Sequence, residues 1–301
     1  MRWCMGCFVG GGRLNWFDKE FVMVAEAKVS IERQARLPPP GVTWHYTTID
    51  VLEHFLQGEV AFSHYKFLND DSELSYGRQL LRDIFDGLEN EGLKKFIEGE
   101  IVDKLVADAY LFCLSRAGDN LYQWRSYTPH GGIAVGFDRR QLYSAIHNGL
   151  MAQEWSSVLG KINVMLLTCR YRDDFAKRVV VRLNQKSNAS HGACCDGCKG
   201  FGVFIEKFMK VLLSQKNPSF REEQEERFLL IGVPRDKDRP IVINGKPRIM
   251  VKDLGIFKSI TCVRMSPHGD YACNRLLVEI IRDKYGLEFP IEKSESSFNG
   301  R

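Results

Sequence analysis

No GxxxxGK[ST] loop, no GxSxG elbow and no HExxH helix occurs in the 301 residues. These absences argue against P-loop phosphate chemistry, α/β-hydrolase acyl transfer and helix-borne zinc peptidase chemistry. The glycine run in FVGGGR (8–13) opens no strand–helix unit, so it gives no dinucleotide fingerprint either. No long hydrophobic run is present: the apolar stretch in the opening MRWCMGCFVGGG is too short to span a bilayer, and with one early basic residue it makes no convincing secretory signal. No Pro, Gly or Ser linker, repeat or low-complexity tract divides the interior, which favours one large domain. Nine cysteines scattered through a chain without such a signal set the expectation of free thiols in a reducing, cytoplasmic setting, with no membrane partner. The net charge of +4 permits a nucleic-acid partner without demanding one.

Residues 1–40, with glycine punctuation, a polar stretch and Pro38-Pro39-Pro40, read as an appended arm that need not pack on the core. Residues 41–301 then read as one domain. Val42 to Tyr46 forms a strand running into a helix over Ile49, Leu52, Phe55 and Leu56, with Thr47 and Asp50 in capping-box form and Gly58 as the stop. Strands are expected at 59–67, 110–115, 131–138, 161–172, 225–232, 247–253, 258–265 and 287–292. Helices are expected at 74–88, 93–110, 121–127, 173–184, 201–215 and 271–284. Helices cluster early and strands late, so the expected fold is α+β with a mixed, mostly antiparallel sheet flanked by helices.

Three stretches carry chemistry. In SFREEQEERFLL (219–230), four glutamates surround Gln224; along a strand Glu223 and Glu225 share one side while Gln224 and Glu226 share the other. Two carboxylates on one face repel, so one pKa should rise, an arrangement suited to holding or taking a proton. A solvated acidic turn is the plain alternative. In DNLYQWRSYTPHGG (119–132), Trp124, Arg125, Tyr127 and His130 can stack on a planar ring and bind phosphate, or can pack as an aromatic helix under a sheet edge. In HGACCDGCKG, Cys194, Cys195 and Cys198 with His191 give at most an incomplete zinc set, and no metal is expected.

Taken in order, WHYTTIDVLEHFLQGEVAFSHYKFLNDDSE, LFCLSRAGDNLYQWRSYTPHGGIAVGFD, SFREEQEERFLL and a terminal IEKS resemble the bacterial family catalogued as domain of unknown function 2971, over about residues 43–294. More distantly, the histidine at a strand end followed by hydroxyl residues and a helix, the central aromatic and serine region, and the late glutamate opening a strand resemble the ADP-ribosyltransferase superfamily. That second resemblance implies a split sheet and NAD as the substrate. It also implies transfer of ADP-ribose to a protein or nucleic-acid acceptor, as in a toxin, effector or defence protein. On its terms His45 matches the histidine that holds the adenosine ribose, with Tyr46 and Thr47 beside it. Tyr127 matches the tyrosine that stacks on nicotinamide, and Glu225 the glutamate that binds the 2′-hydroxyl of the nicotinamide ribose. Glu223 supplies the preceding acid and Arg125 a pyrophosphate contact. Glu226 stands where the family has tryptophan, so the acidic pair reads as Glu223 with Glu225 or as Gln224 with Glu226. A non-catalytic nucleotide-binding or interaction module, an NAD glycohydrolase, and transfer of a phosphate from RNA are the competing readings.

Overall fold

A computed structural model describes residues 37–68, 73–87, 109–152, 163–189, 208–231 and 240–296. In chain order the elements are β1 (Val42–Thr47), α1 (Ile49–Leu56), β2 (Val60–His64), α2 (Glu73–Asp86), β3 (Tyr110–Ser115), α3 (Leu121–Tyr127), β4 (Ile133–Asp138), α4 (Arg139–Ala152), β5 (Asn163–Thr168) and α5 (Asp174–Ala189). A helical stretch at 208–214 and a 3-10 turn at Pro218–Glu223 follow. Then come β6 (Glu225–Ile231), β7 (Ile241–Ile243), β8 (Lys246–Val251), β9 (Ile260–Met265), α6 (Tyr271–Lys284) and β10 (Ile291–Lys293). The ten strands form one sheet, and among the described strand pairs only β9 with β10 runs parallel. The expected α+β class with a mostly antiparallel sheet is what the chain adopts.

The sheet turns on β3. One edge of that strand pairs with β6 along its whole length, from Tyr110 with Leu230 to Ser115 with Glu225. The other edge has two neighbours, β2 at Tyr110 and Leu111 and β1 at Ser115 alone. The sheet therefore forks along this edge, one arm leaving through β1, β4, β9 and β10 and the other through β2, β8 and β7. Between the arms, the Cys113 carbonyl meets no strand on that side. The His45 imidazole takes it, Nδ1 to O at 2.8 Å.

Side chains on one face pack against α1, α4 and α6, with Phe55, Phe112, Val135, Ile146, Phe228 and Val263 at the centre. The opposite face divides. Leu111 and Leu229 lie under a cluster from α2, α5 and the 208–214 stretch, while Trp44 and Tyr46 of β1 pack with Trp124 of α3. Burying this apolar surface, at roughly 25 cal/mol per Å², is the main favourable term holding the layers together.

Several sequence expectations need correction. Thr48, not Thr47, precedes α1, and it makes no side-chain capping bond, so the capping box does not form. Gly58 does stop the helix, at φ +78°. The arm ends before residue 40: Arg139 donates to the Pro39 carbonyl at 3.3 Å and Arg140 to that of Pro38 at 3.0 Å, so these prolines are fastened to α4. Helix α4 was not anticipated, although Leu142, Tyr143, Ile146 and Leu150 recur at helical spacing and are all buried. The expected helix at 93–110 lies outside the described residues except at its end, where Tyr110 opens β3. Among the described residues no helix is long and apolar enough to cross a membrane.

Gly118, in the loop after β3, lies against the indole of Trp44, which Arg264 covers on a face at 4.7 Å. A Cβ at 118 would come within 2.1 Å of that ring. Gly118→Ala should therefore cost about 1–3 kcal/mol of stability through overpacking. Urea unfolding followed by tryptophan fluorescence checks this, and an unchanged midpoint refutes the packing argument.

Candidate functional site

The acidic run is not a solvated turn. Glu223, Glu225 and Glu226 are buried, and only Glu222 and Gln224 of the run are exposed. Gln224 adopts a left-handed conformation, φ 46°, which turns the chain out of the 3-10 segment and into β6. That reversal brings the carboxylates on either side of it to one cation. The ammonium of Lys216, itself buried, pairs with Glu223 and lies 2.7 Å from Glu225 Oε2. Arg227 donates to the same Oε2 at 2.5 Å. Both cations thus engage one oxygen, and Oε1 of Glu225 takes no hydrogen bond among the described residues.

These charges reverse the expected titration. Burial by itself raises the Glu225 pKa, but the charges of Arg227 and Lys216 outweigh it and hold the carboxyl at about 2. Glu225 is therefore ionised at neutral pH, and the expectation that repulsion raises one acid fails for it because a lysine stands between the pair. Lys216 was the residue missed. The only signal for it was a lysine a few positions before an acidic run, and nothing local says that the chain folds back.

The backbone around the acids is tied to the neighbouring loop and helix. The Glu223 carbonyl accepts from Ser115 Oγ at 2.7 Å and from Gln123 Nε2 at 3.1 Å, and that of Glu222 accepts from Asn120 Nδ2 at 2.7 Å. The Glu225 amide donates to the Tyr171 hydroxyl at 2.9 Å. Asn120 also caps α3, accepting from the amides of Tyr122 and Gln123. Helix α3 ends at Tyr127, which remains partly exposed at 37%. Burial raises its phenol pKa, and so do the charges of Glu223, Cys113 and Glu225, which places the hydroxyl in the acids' field.

The structure unites Tyr127, Glu223 and Glu225 and sets the β1 residues apart. Trp44, Ser115 and Glu225 form one row across β1, β3 and β6. His45 is one residue along and faces the other way, as Glu226 does. Its ring packs against Phe112 and Phe55, with centroids at 4.8 and 5.5 Å. Because a carbonyl only accepts, Nδ1 carries the proton and Nε2 presents a lone pair. Burial lowers the His45 pKa to about 4, partly offset by the Cys113 bond and reinforced by the charge of Arg248, so the ring is neutral at pH 7. Tyr46 is committed elsewhere: its hydroxyl donates to the Ala117 carbonyl and accepts from the Asn120 amide. Thr47 sits at the β1 end, paired with Ile133, and Arg125 is exposed on α3. Glu226 lies on the core side, paired with Arg139 and accepting from Thr168 Oγ1 at 3.2 Å.

Residues 123–228 match the model of the family described as Protein of unknown function (DUF2971). The match covers about a third of the chain and supports that family resemblance. It takes in Tyr127, Lys216, Glu223, Glu225 and Arg227 and leaves His45 outside. No curated protein and no solved structure matches the chain. The DUF2971 description carries no activity, so chemistry has to come from the cluster itself. His191, Cys194, Cys195 and Cys198 lie outside the described residues. Within those described, no three or more His, Cys, Asp or Glu side chains group as metal ligands.

The cluster makes stability depend on acid. A carboxyl held from its ordinary 4.5 to about 2 in the fold stabilises it fully above pH 4.5, and this contribution is lost as pH falls towards 2. Glu225→Gln should flatten that part of the stability-versus-pH curve. Lys216→Met, which removes the cation shared by two buried carboxylates, should cost about 3–5 kcal/mol at pH 7. Denaturant melts from pH 2 to 7 test both, and a Glu225→Gln curve parallel to wild type contradicts the assignment.

Proposed function

We propose that the chain is an NAD-dependent ADP-ribosyltransferase-like enzyme that cleaves the nicotinamide–ribose bond and passes ADP-ribose to a protein or nucleic-acid acceptor. The observation that carries this reading is Glu225. It is an ionised, buried carboxylate with one oxygen fixed by two cations and the other without a hydrogen bond among the described residues, beside the half-exposed ring of Tyr127.

Cleaving the nicotinamide–ribose bond builds positive charge on the ribose. A carboxylate that hydrogen-bonds the 2′-hydroxyl stabilises that state more than the ground state, provided it is ionised and preorganised. Glu225 meets both conditions: Oε1 accepts the 2′-hydroxyl, while Lys216 and Arg227 keep the group from rotating or taking up a proton. Tyr127 supplies the stacking face for nicotinamide. Glu223 is the base whose carboxylate takes the proton of the incoming nucleophile as its bond to the ribose forms and nicotinamide leaves. His45, with its Nε2 lone pair, accepts a ribose hydroxyl at the fork, with Thr47 close by at the end of the same strand. Glu225 and His45 stand two strands apart, roughly 10 Å at normal strand spacing, but on opposite faces, so one dinucleotide reaches both only by passing through the fork.

Glu225→Gln keeps the shape and removes the charge. It should lower nicotinamide release about 10²- to 10⁴-fold while NAD binding changes little. Incubation of wild type with NAD, with and without candidate acceptors, separates the alternatives. Release without labelled acceptor indicates a glycohydrolase, and binding without release indicates a nucleotide-binding module. Equal release by wild type and a folded Glu225→Gln variant removes Glu225 from the chemistry.

A further inference from the structure

Arg248, on β8, was not anticipated as a functional residue. It pairs with Ser63 of β2, which in turn pairs with Leu111 of β3, two residues before Cys113. This places it on the arm of the fork opposite His45, and its charge reaches the imidazole there. Among the described residues it has no carboxylate partner. Its Nε is buried without a hydrogen-bond acceptor. The other buried cations discussed above are matched: Lys216 and Arg227 by Glu223 and Glu225, and Arg139 by Glu226. An unmatched, half-buried guanidinium is costly to keep, and it supplies a rigid planar fork suited to phosphate oxygens.

We propose that Arg248 is the anion anchor of the fork and takes the pyrophosphate of the bound dinucleotide, a role that rests on the NAD reading above. It replaces Arg125, which stands exposed at the far end of α3. Register turns Arg248 to the sheet face of Ser63, Leu111 and Glu225, while His45 turns to the other face and reaches the fork through the Cys113 carbonyl. An anion on Arg248 cancels the charge that acts on His45, so occupancy of one group is readable on the other.

The test uses ADP and inorganic pyrophosphate as probes with the full-length protein, by calorimetry and by NMR titration of His45. Wild type should bind ADP, and Arg248→Gln should weaken it by about tenfold or more, while Arg248→Lys keeps part of the affinity and Arg125→Gln loses less than about twofold. ADP should shift the His45 titration upward in wild type and not in Arg248→Gln. Because Arg248 holds no partner, Arg248→Gln should melt no lower than wild type, which separates lost binding from lost folding. Unchanged ADP affinity in Arg248→Gln, or no binding of either probe by wild type, overturns the anchor. ADP bound through Arg248 with no nicotinamide released from NAD leaves the anchor standing and removes the transferase. Nicotinamide release with equal KM in wild type and Arg248→Gln does the reverse.

Discussion

A backbone carbonyl that a sheet cannot satisfy shapes this molecule. Where β1 and β2 share one edge of β3, the oxygen of Cys113 is left between two departing strands, and a buried carbonyl without a donor is costly. The His45 imidazole fills the gap and takes a single tautomer in doing so. The fork is thereby held open by a side chain instead of being closed by a ladder. The same bond leaves Nε2 as an acceptor where the two arms part.

The second constraint is electrostatic. Glu223 and Glu225 cannot be buried near each other as bare anions, nor Lys216 and Arg227 as bare cations; the four are tolerable only together. The cost of assembling them is offset by a preorganised field, in which one oxygen of Glu225 is pinned and the other takes no hydrogen bond among the described residues. Helix α3, through Gln123 and the Asn120 cap, ties this assembly to the aromatic packing of Trp124 on Tyr46. The acids, the tyrosine and the fork are thus parts of one rigid construction about β3.

Much of the scaffold was legible locally. Apolar runs marked Tyr110–Ser115 and Glu225–Ile231 as strands, and the helix expected at 271–284 is Tyr271–Lys284. The capping box at Thr47 misled, because the residue pattern was present but β1 continues through Thr47 and claims its backbone. The acidic run showed which carboxylates share a side, since that follows from strand alternation. Their charge state was not legible, because it depends on Lys216 returning from the preceding helical stretch. Arg248 escaped notice for the same reason: an arginine in a strand is ordinary until its neighbours are known to include no acid.

What the sequence determined by itself was the class of fold, most strand and helix positions, and which carboxylates of the acidic run share a side, since these rest on short-range periodicity and turn chemistry. The tertiary structure alone decided that β3 carries two strands on one edge, that His45 and Glu225 begin on opposite faces, and that a lysine and an arginine keep Glu225 ionised. Those facts depend on register and on contacts between residues far apart in the chain, and a one-residue difference in register changes which face a side chain meets.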